Sequence, residues 1–167
     1  MSERPAFPAL AFHRAAGGSP GWEELSCFRD AEDFSTGTTW ELKHGKRLGM
    51  VLIDRDLRCW RVVSVVDLGV VRPFWERVFR FLMRQSLHGL DQQIEAIEPI
   101  TLEQVKTRAA ASLYDNPDNW QDDEAIAGEA GPWQDEQECL DKLVAKVNAA
   151  QSLPQIINAI YEEEFPG

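Results

Sequence analysis

The chain has 167 residues, 44% of them hydrophobic and 27% charged, with a formal net charge of −11. That composition excludes a disordered polymer and suits one globular domain, long enough to bury about two-thirds of its unfolded surface. No run approaches the roughly 20 apolar residues of a membrane span, and the acidic excess argues against duplex DNA or an anionic membrane as the main ligand.

Residues 1–21 hold three prolines and a Gly-Gly-Ser-Pro-Gly punctuation at 17–21, and read as an extended N-terminal arm docked through Phe7, Leu10 and Phe12. Acid and base interrupt the short apolar pieces of MSERPAFPALAFHRAAGG, which is unlike a secretory leader. Cys27, Cys59 and Cys139 are far apart and odd in number, so they match neither a disulfide framework nor a zinc pattern. Reduced thiols in a cytoplasmic protein are the expectation. The segment 22–167 is expected to be a single domain.

Glu24 to Arg29 reads as a strand, with Leu25 and Cys27 on one side and Phe28 on the other. Asp33 or Ser35 could cap a short helix, although Thr36-Gly37-Thr38-Thr39 is poor helix material. Lys43-His44-Gly45-Lys46-Arg47 reads as a basic turn. The sharpest signal follows in GMVLIDRDLRCWRVVSVV, residues 49–66. Met50 to Ile53 is an apolar run suited to a strand covered on both faces, Asp54-Arg55-Asp56 breaks it, and Leu57 to Val66 resumes as a second strand. Within it Cys59 and Val63 suit the core, and Arg58 and Ser64 a wetter face. An isolated hairpin is barely stable, so other elements must cover this one.

Pro73 opens a predicted helix ending near Ser86, with Phe74, Val78, Phe81 and Leu82 on its apolar stripe and Arg77, Arg80 and Arg84 beside it. Leu90 to Ile100 reads as a strand. Thr101-Leu102-Glu103-Gln104 is a capping box for a helix ending near Tyr114. Asp115 to Gly131 is turn-rich and acidic, Pro132 opens another helix, and Ser152-Leu153-Pro154-Gln155 begins the last one. The predicted fold class is α+β, with an antiparallel sheet of about four strands packed by helices and a helical C-terminal third.

Charge is partitioned along the chain. Residues 1–42 carry three bases and seven acids, residues 43–90 ten bases and four acids, and residues 91–167 four bases and seventeen acids. Between Asp115 and Glu138 lie nine carboxylates and no lysine or arginine, with Trp120 and Trp133 among them. Carboxylates steer association with a basic partner and an aromatic anchors it. The predicted partner-binding residues are therefore Trp120, Asp122, Asp123, Glu124, Glu129 and Trp133.

Other chemistry has weaker signals. Asp54-x-Asp56 lacks the further oxygen donors and the glycine of a calcium loop, so a hairpin turn is favoured. His13, His44 and His88 have no metal-ligand spacing, and no nucleophile elbow or phosphate loop occurs. No catalytic residue, metal or cofactor is assigned. The arginines of 77–84 interleave with aromatics as in some nucleic-acid binders, yet helical spacing puts the two sets on different faces.

GMVLIDRDLRCWRVVSV resembles the strand, Asp-turn and aromatic-strand core of small bacterial immunity proteins from polymorphic toxin systems, and SLPQIINAIYEEE is similar to their closing helix. The resemblance covers about a third of the chain, and the proline-containing N-terminal arm departs from the pattern. It implies a cytoplasmic, non-catalytic protein that protects its producer by binding a cognate toxin domain. Two alternatives stay open. One is a small-ligand binder or enzyme with a pocket between sheet and helices, using His44 and His88 as acid and base. The other is a self-associating, homo-oligomeric structural subunit joined by basic and acidic patches.

Overall fold

A computed structural model of the chain describes residues 4–14, 23–71, 86–116 and 136–161. Six strands form one antiparallel sheet: β1 (Ala9–Arg14), β2 (Glu23–Phe28), β3 (Thr36–Thr38), β4 (Val51–Asp54), β5 (Cys59–Val70) and β6 (Leu87–Ile97), in the spatial order β2-β1-β4-β5-β6-β3. The described helices are α1 (Ala31–Phe34), α2 (Thr39–Lys43), α3 (Leu102–Asp115), α4 (Glu136–Ala149) and α5 (Leu153–Tyr161). The class is α+β, as the sequence predicts, but the sheet has six strands rather than about four.

Two of the additional strands come from segments that the sequence disguises. The N-terminal segment is not an arm beside the domain, since residues 9–14 lie inside the sheet between β2 and β4. Ala9, Leu10 and Ala11 have no exposure and Phe12 has 1%, so this strand is among the most deeply buried parts of the chain. The other is β3, three residues of Thr-Gly-Thr pairing with β6 through Thr36↔Gly89 and Thr38↔Leu87. Thr and β-branched residues suit a strand, and Gly37 fits where its neighbour is close: a Cβ there would lie 2.7 Å from Leu90 Cδ1.

Alternation along the strands makes two apolar faces. Leu10, Phe12, Ile53 and Cys59 point to one side and pack with Val105, Ala109 and Leu113 of α3, Val144 and Val147 of α4, and the isoleucines of α5. Ala9, Ala11, Leu52, Trp60 and Val62 point to the other, where Phe28, Met50 and the half-buried Phe7 and Phe34 join them. Leu52 and Ile53 thus belong to opposite faces and both are fully buried, as a doubly covered strand requires. The alternation predicted for β5 fails beyond Val62. Irregular register between Val62 and Ser64 resets the pleat, and Val63, expected in the core, is 43% exposed.

The helices follow their signals. Thr101 Oγ1 accepts from Gln104 N at 3.3 Å and Gln104 Oε1 accepts from Thr101 N at 2.9 Å, a complete capping box for α3. At the start of α5, Gln155 N donates to Ser152 Oγ at 3.5 Å, while Gln155 Oε1 accepts from Gln151 N at 2.7 Å. The first short helix is capped by Asp30, not by Asp33 or Ser35, because Asp30 Oδ1 receives the N–H groups of Glu32 and Asp33. Residues 73–85 of the predicted helix lie outside the described residues, and Ser86, at its expected end, directly precedes β6. No described helix is long and apolar enough to cross a membrane.

Candidate functional site

The sheet curls into a half-barrel, and the chain connectivity demands that curl. Its two edge strands, β2 and β3, are joined by residues 29–35 alone, four of which are wound in α1. Such a link reaches about 20 Å, whereas the edges of a flat six-stranded sheet would lie about 24 Å apart. The edges therefore face each other across a seam, and the basic turn after α2 fills part of it.

Arg47 is the residue that touches both edges. Its Nη2 donates to the Thr36 carbonyl oxygen of β3 at 2.8 Å, and its guanidinium lies 4.6 Å over the Phe28 ring of β2. Glu41 holds it from the side, with Oε1 accepting from Arg47 Nε at 3.0 Å and Oε2 accepting from Thr38 N at 2.7 Å. Thr38 Oγ1 in turn caps α2 by accepting from Glu41 N at 3.2 Å. Thr38-x-x-Glu41 is a capping box that sequence reasoning overlooked, although the spacing is legible. Lys46, beside Arg47, pairs with Glu24 of β2 and sits 4.9 Å over the Trp40 ring. The turn read as basic therefore carries two cations that are only 6% and 7% exposed. A buried charge persists only when paired and hydrogen-bonded, and here each has a carboxylate.

His13 completes this layer, with Nδ1 3.6 Å from Glu24 Oε2. Burial and the neighbouring Lys46 push its pKa below the ordinary imidazole value. The other histidines lie elsewhere. His44 Nδ1 approaches the Trp40 carbonyl at 2.8 Å at the exposed end of α2, and His88 bridges Asp67 at 3.0 Å and Thr39 Oγ1 at 3.3 Å. Neither borders the seam cavity described below, so the structure does not gather them as an acid–base pair.

The Asp-x-Asp pair is a hairpin turn. Asp54 has no exposure; Oδ1 accepts from Asp56 N and Arg58 N at 3.0 Å, and Oδ2 accepts from Ala6 N and Trp60 Nε1 at 3.1 Å and from Arg58 Nε at 2.9 Å. Both oxygens are engaged within the fold, and Leu57 follows with φ of 62°, closing the turn without glycine. No group of three or more His, Cys, Asp or Glu that could hold a metal occurs among the described residues. Burial pushes the Cys59 thiol up, away from reactivity.

The six predicted partner-binding residues, Trp120, Asp122, Asp123, Glu124, Glu129 and Trp133, lie outside the described residues, as do Arg77, Arg80 and Arg84. The helices flanking the acidic segment are described. Arg108 of α3 forks onto Glu23 of β2 with distances of 2.7 and 2.6 Å, and Ser112 Oγ and Asn116 Nδ2 both donate to the Glu23 carbonyl oxygen. Tyr114 Oη donates to Asp141 Oδ1 at 2.8 Å, tying α3 to α4. The helix before the acidic segment is thus tied both to β2 and to the helix after it. Comparison with family models, curated proteins and solved structures gives no match for this chain.

Proposed function

We propose that this chain is a protein-binding module of the immunity type, which captures a basic partner, such as a toxin domain, through its acidic C-terminal half. The observation that carries the reading is where the central bases are engaged. Lys46 pairs with Glu24, Arg47 with Glu41, and Arg58 with Asp54 and Asp56, all carboxylates from the first 56 residues. Of the central bases with described ion pairs, only Arg61 reaches the C-terminal block, at 3.8 Å from Glu95 with both side chains about half exposed. On α3 and α4, Glu103 and Glu138 pair, among the described residues, with Lys106 and Lys142 of their own helices, and Asp115 and Asp141 are exposed. Among the described residues, then, the acids of the C-terminal block are left largely uncompensated by the central bases. Their negative field raises the rate of encounter with a positively charged surface.

The test uses the protein encoded beside this gene as the purified partner. The unaltered chain should bind it, with association slowing about ten-fold or more as salt rises toward physiological strength. Reversing Asp122, Asp123 and Glu124 to lysine should weaken capture, and Trp120→Ala should speed dissociation, with circular dichroism unchanged. Binding that is indifferent to these changes would remove the acidic surface from consideration.

A further inference from the structure

The seam between the two sheet edges opens into a cavity of about 430 Å³, within the size range of small-molecule sites. Leu25 and Phe28 from one edge, Gly37 from the other, Leu87 of β6 and Tyr161 of α5 line it, with Arg47 in the wall. Arg47 is 7% exposed, and its Nη1 is buried without an acceptor among the described residues, although Nε and Nη2 are both engaged. A buried charged donor left without an acceptor is costly, so an orphan of this kind beside a cavity calls for a ligand atom.

The chemistry of that atom follows from the surroundings. Guanidinium N–H groups match a carboxylate better than any neutral acceptor. The two carboxylates bordering the cavity are already held by cations, Glu41 by Arg47 and Asp33 by Arg29 at 3.2 Å. Glu41 also fixes the guanidinium plane, so Nη1 need not search for its orientation. A water could meet one N–H, but the aromatic and aliphatic walls beside it favour a ligand with an apolar body.

We infer that the seam cavity binds a small carboxylic acid with an apolar body, the carboxylate accepting from Arg47 Nη1 and the body lying against Leu25, Phe28 and Leu87. This site is separate from the acidic surface and stands whether or not that surface binds a protein.

Calorimetric titration of the full chain with phenylacetate and with phenylacetamide, which differ only in the acceptor group, tests the inference. The acid should bind saturably and at least about ten-fold tighter than the amide, the gain of a charge-assisted bond. Its amide chemical-shift changes should concentrate at residues 25–28 and 36–38. Ser26 of β2 also lines the cavity, so Ser26→Trp, which adds bulk there while leaving Arg47 and Glu41 unaltered, should weaken binding about ten-fold or more while the circular dichroism spectrum stays unchanged. Equal affinity for acid and amide, no saturable binding of phenylacetate, or shift changes confined to other parts of the chain would each overturn it.

Discussion

Asp54 offers the most exacting test of how the hairpin is held. Every group facing its carboxylate is a donor: Ala6 N, Asp56 N, Arg58 N, Arg58 Nε and Trp60 Nε1. Asp54→Asn keeps the shape but turns one oxygen into an NH2 group, which must face donors whichever way the amide is flipped. With the nitrogen at the Oδ2 position, the Ala6 and Trp60 N–H groups lose their acceptor, and Trp60 is only 3% exposed. Two lost bonds at about 1 kcal/mol each, plus a partial penalty for the orphaned indole, give ~3 kcal/mol. The Arg58 ion pair adds little, because that side chain is 41% exposed and the pair is screened by solvent. Urea unfolding should therefore show a loss of ~3 kcal/mol for Asp54→Asn, or a fall in Tm of about 6–12 °C, against ~1 kcal/mol or less for Arg58→Met. If the two variants lose the same stability, the ion pair rather than the backbone and indole bonds holds the turn, and this account of Asp54 is wrong.

Three further outcomes can be checked on the same apparatus. The His13 imidazole is depressed below 6.5 by burial and by Lys46 and Arg47, with Glu24 and Glu41 opposing. The unfolded chain then binds more protons between the folded and ordinary values, so stability contributed at this site is complete above the ordinary value and falls as pH drops through that window. The stability difference between the unaltered chain and His13→Gln, followed from about pH 7.5 to about pH 5, should shift against the unaltered chain; a constant difference would refute the assignment. Gly37→Ala places a methyl 2.7 Å from Leu90 Cδ1, and because Leu90 is itself 4% exposed the strain should cost about 1–3 kcal/mol in denaturant titration. Thr101→Ala removes the α3 cap and should cost ~1 kcal/mol, with little change in the urea m-value.

The parts of the fold legible in the sequence were those whose signal is local. The β4–β5 hairpin, the Thr101 capping box and the last helix each announce themselves within a few residues, because turn chemistry, capping and periodicity act over one turn or one strand. The first strand was not legible for the opposite reason. Its neighbours β2 and β4 supply the partners that make ALAFHR a strand, and its alanines look undemanding until the close packing of the inner face is known. The same limit hid the seam. Lys46 and Arg47 are adjacent, charged and next to a glycine, which reads as a solvated turn; only the pairing order of the sheet brings both of its edges to the Arg47 side chain.

That contrast has a consequence for any chain of this topology. A short link between the first and last strands of a curled sheet brings two unpaired edges together, and exposed edges otherwise invite further strands. Covering them with backbone would close the barrel and remove the cavity. A cation donating to one edge and lying over an aromatic ring of the other leaves the gap open while removing part of the liability. On this argument Arg47→Met should lose more than a surface charge would. Both edges are released at once, so Glu41 is left half-buried without its cation and the Thr36 carbonyl without its donor. The expected loss is about 3–5 kcal/mol, the range for removing one partner of a buried pair. Increased self-association in sedimentation should accompany it. A monomeric, fully stable Arg47→Met protein would mean that the edges are kept apart by something other than this side chain.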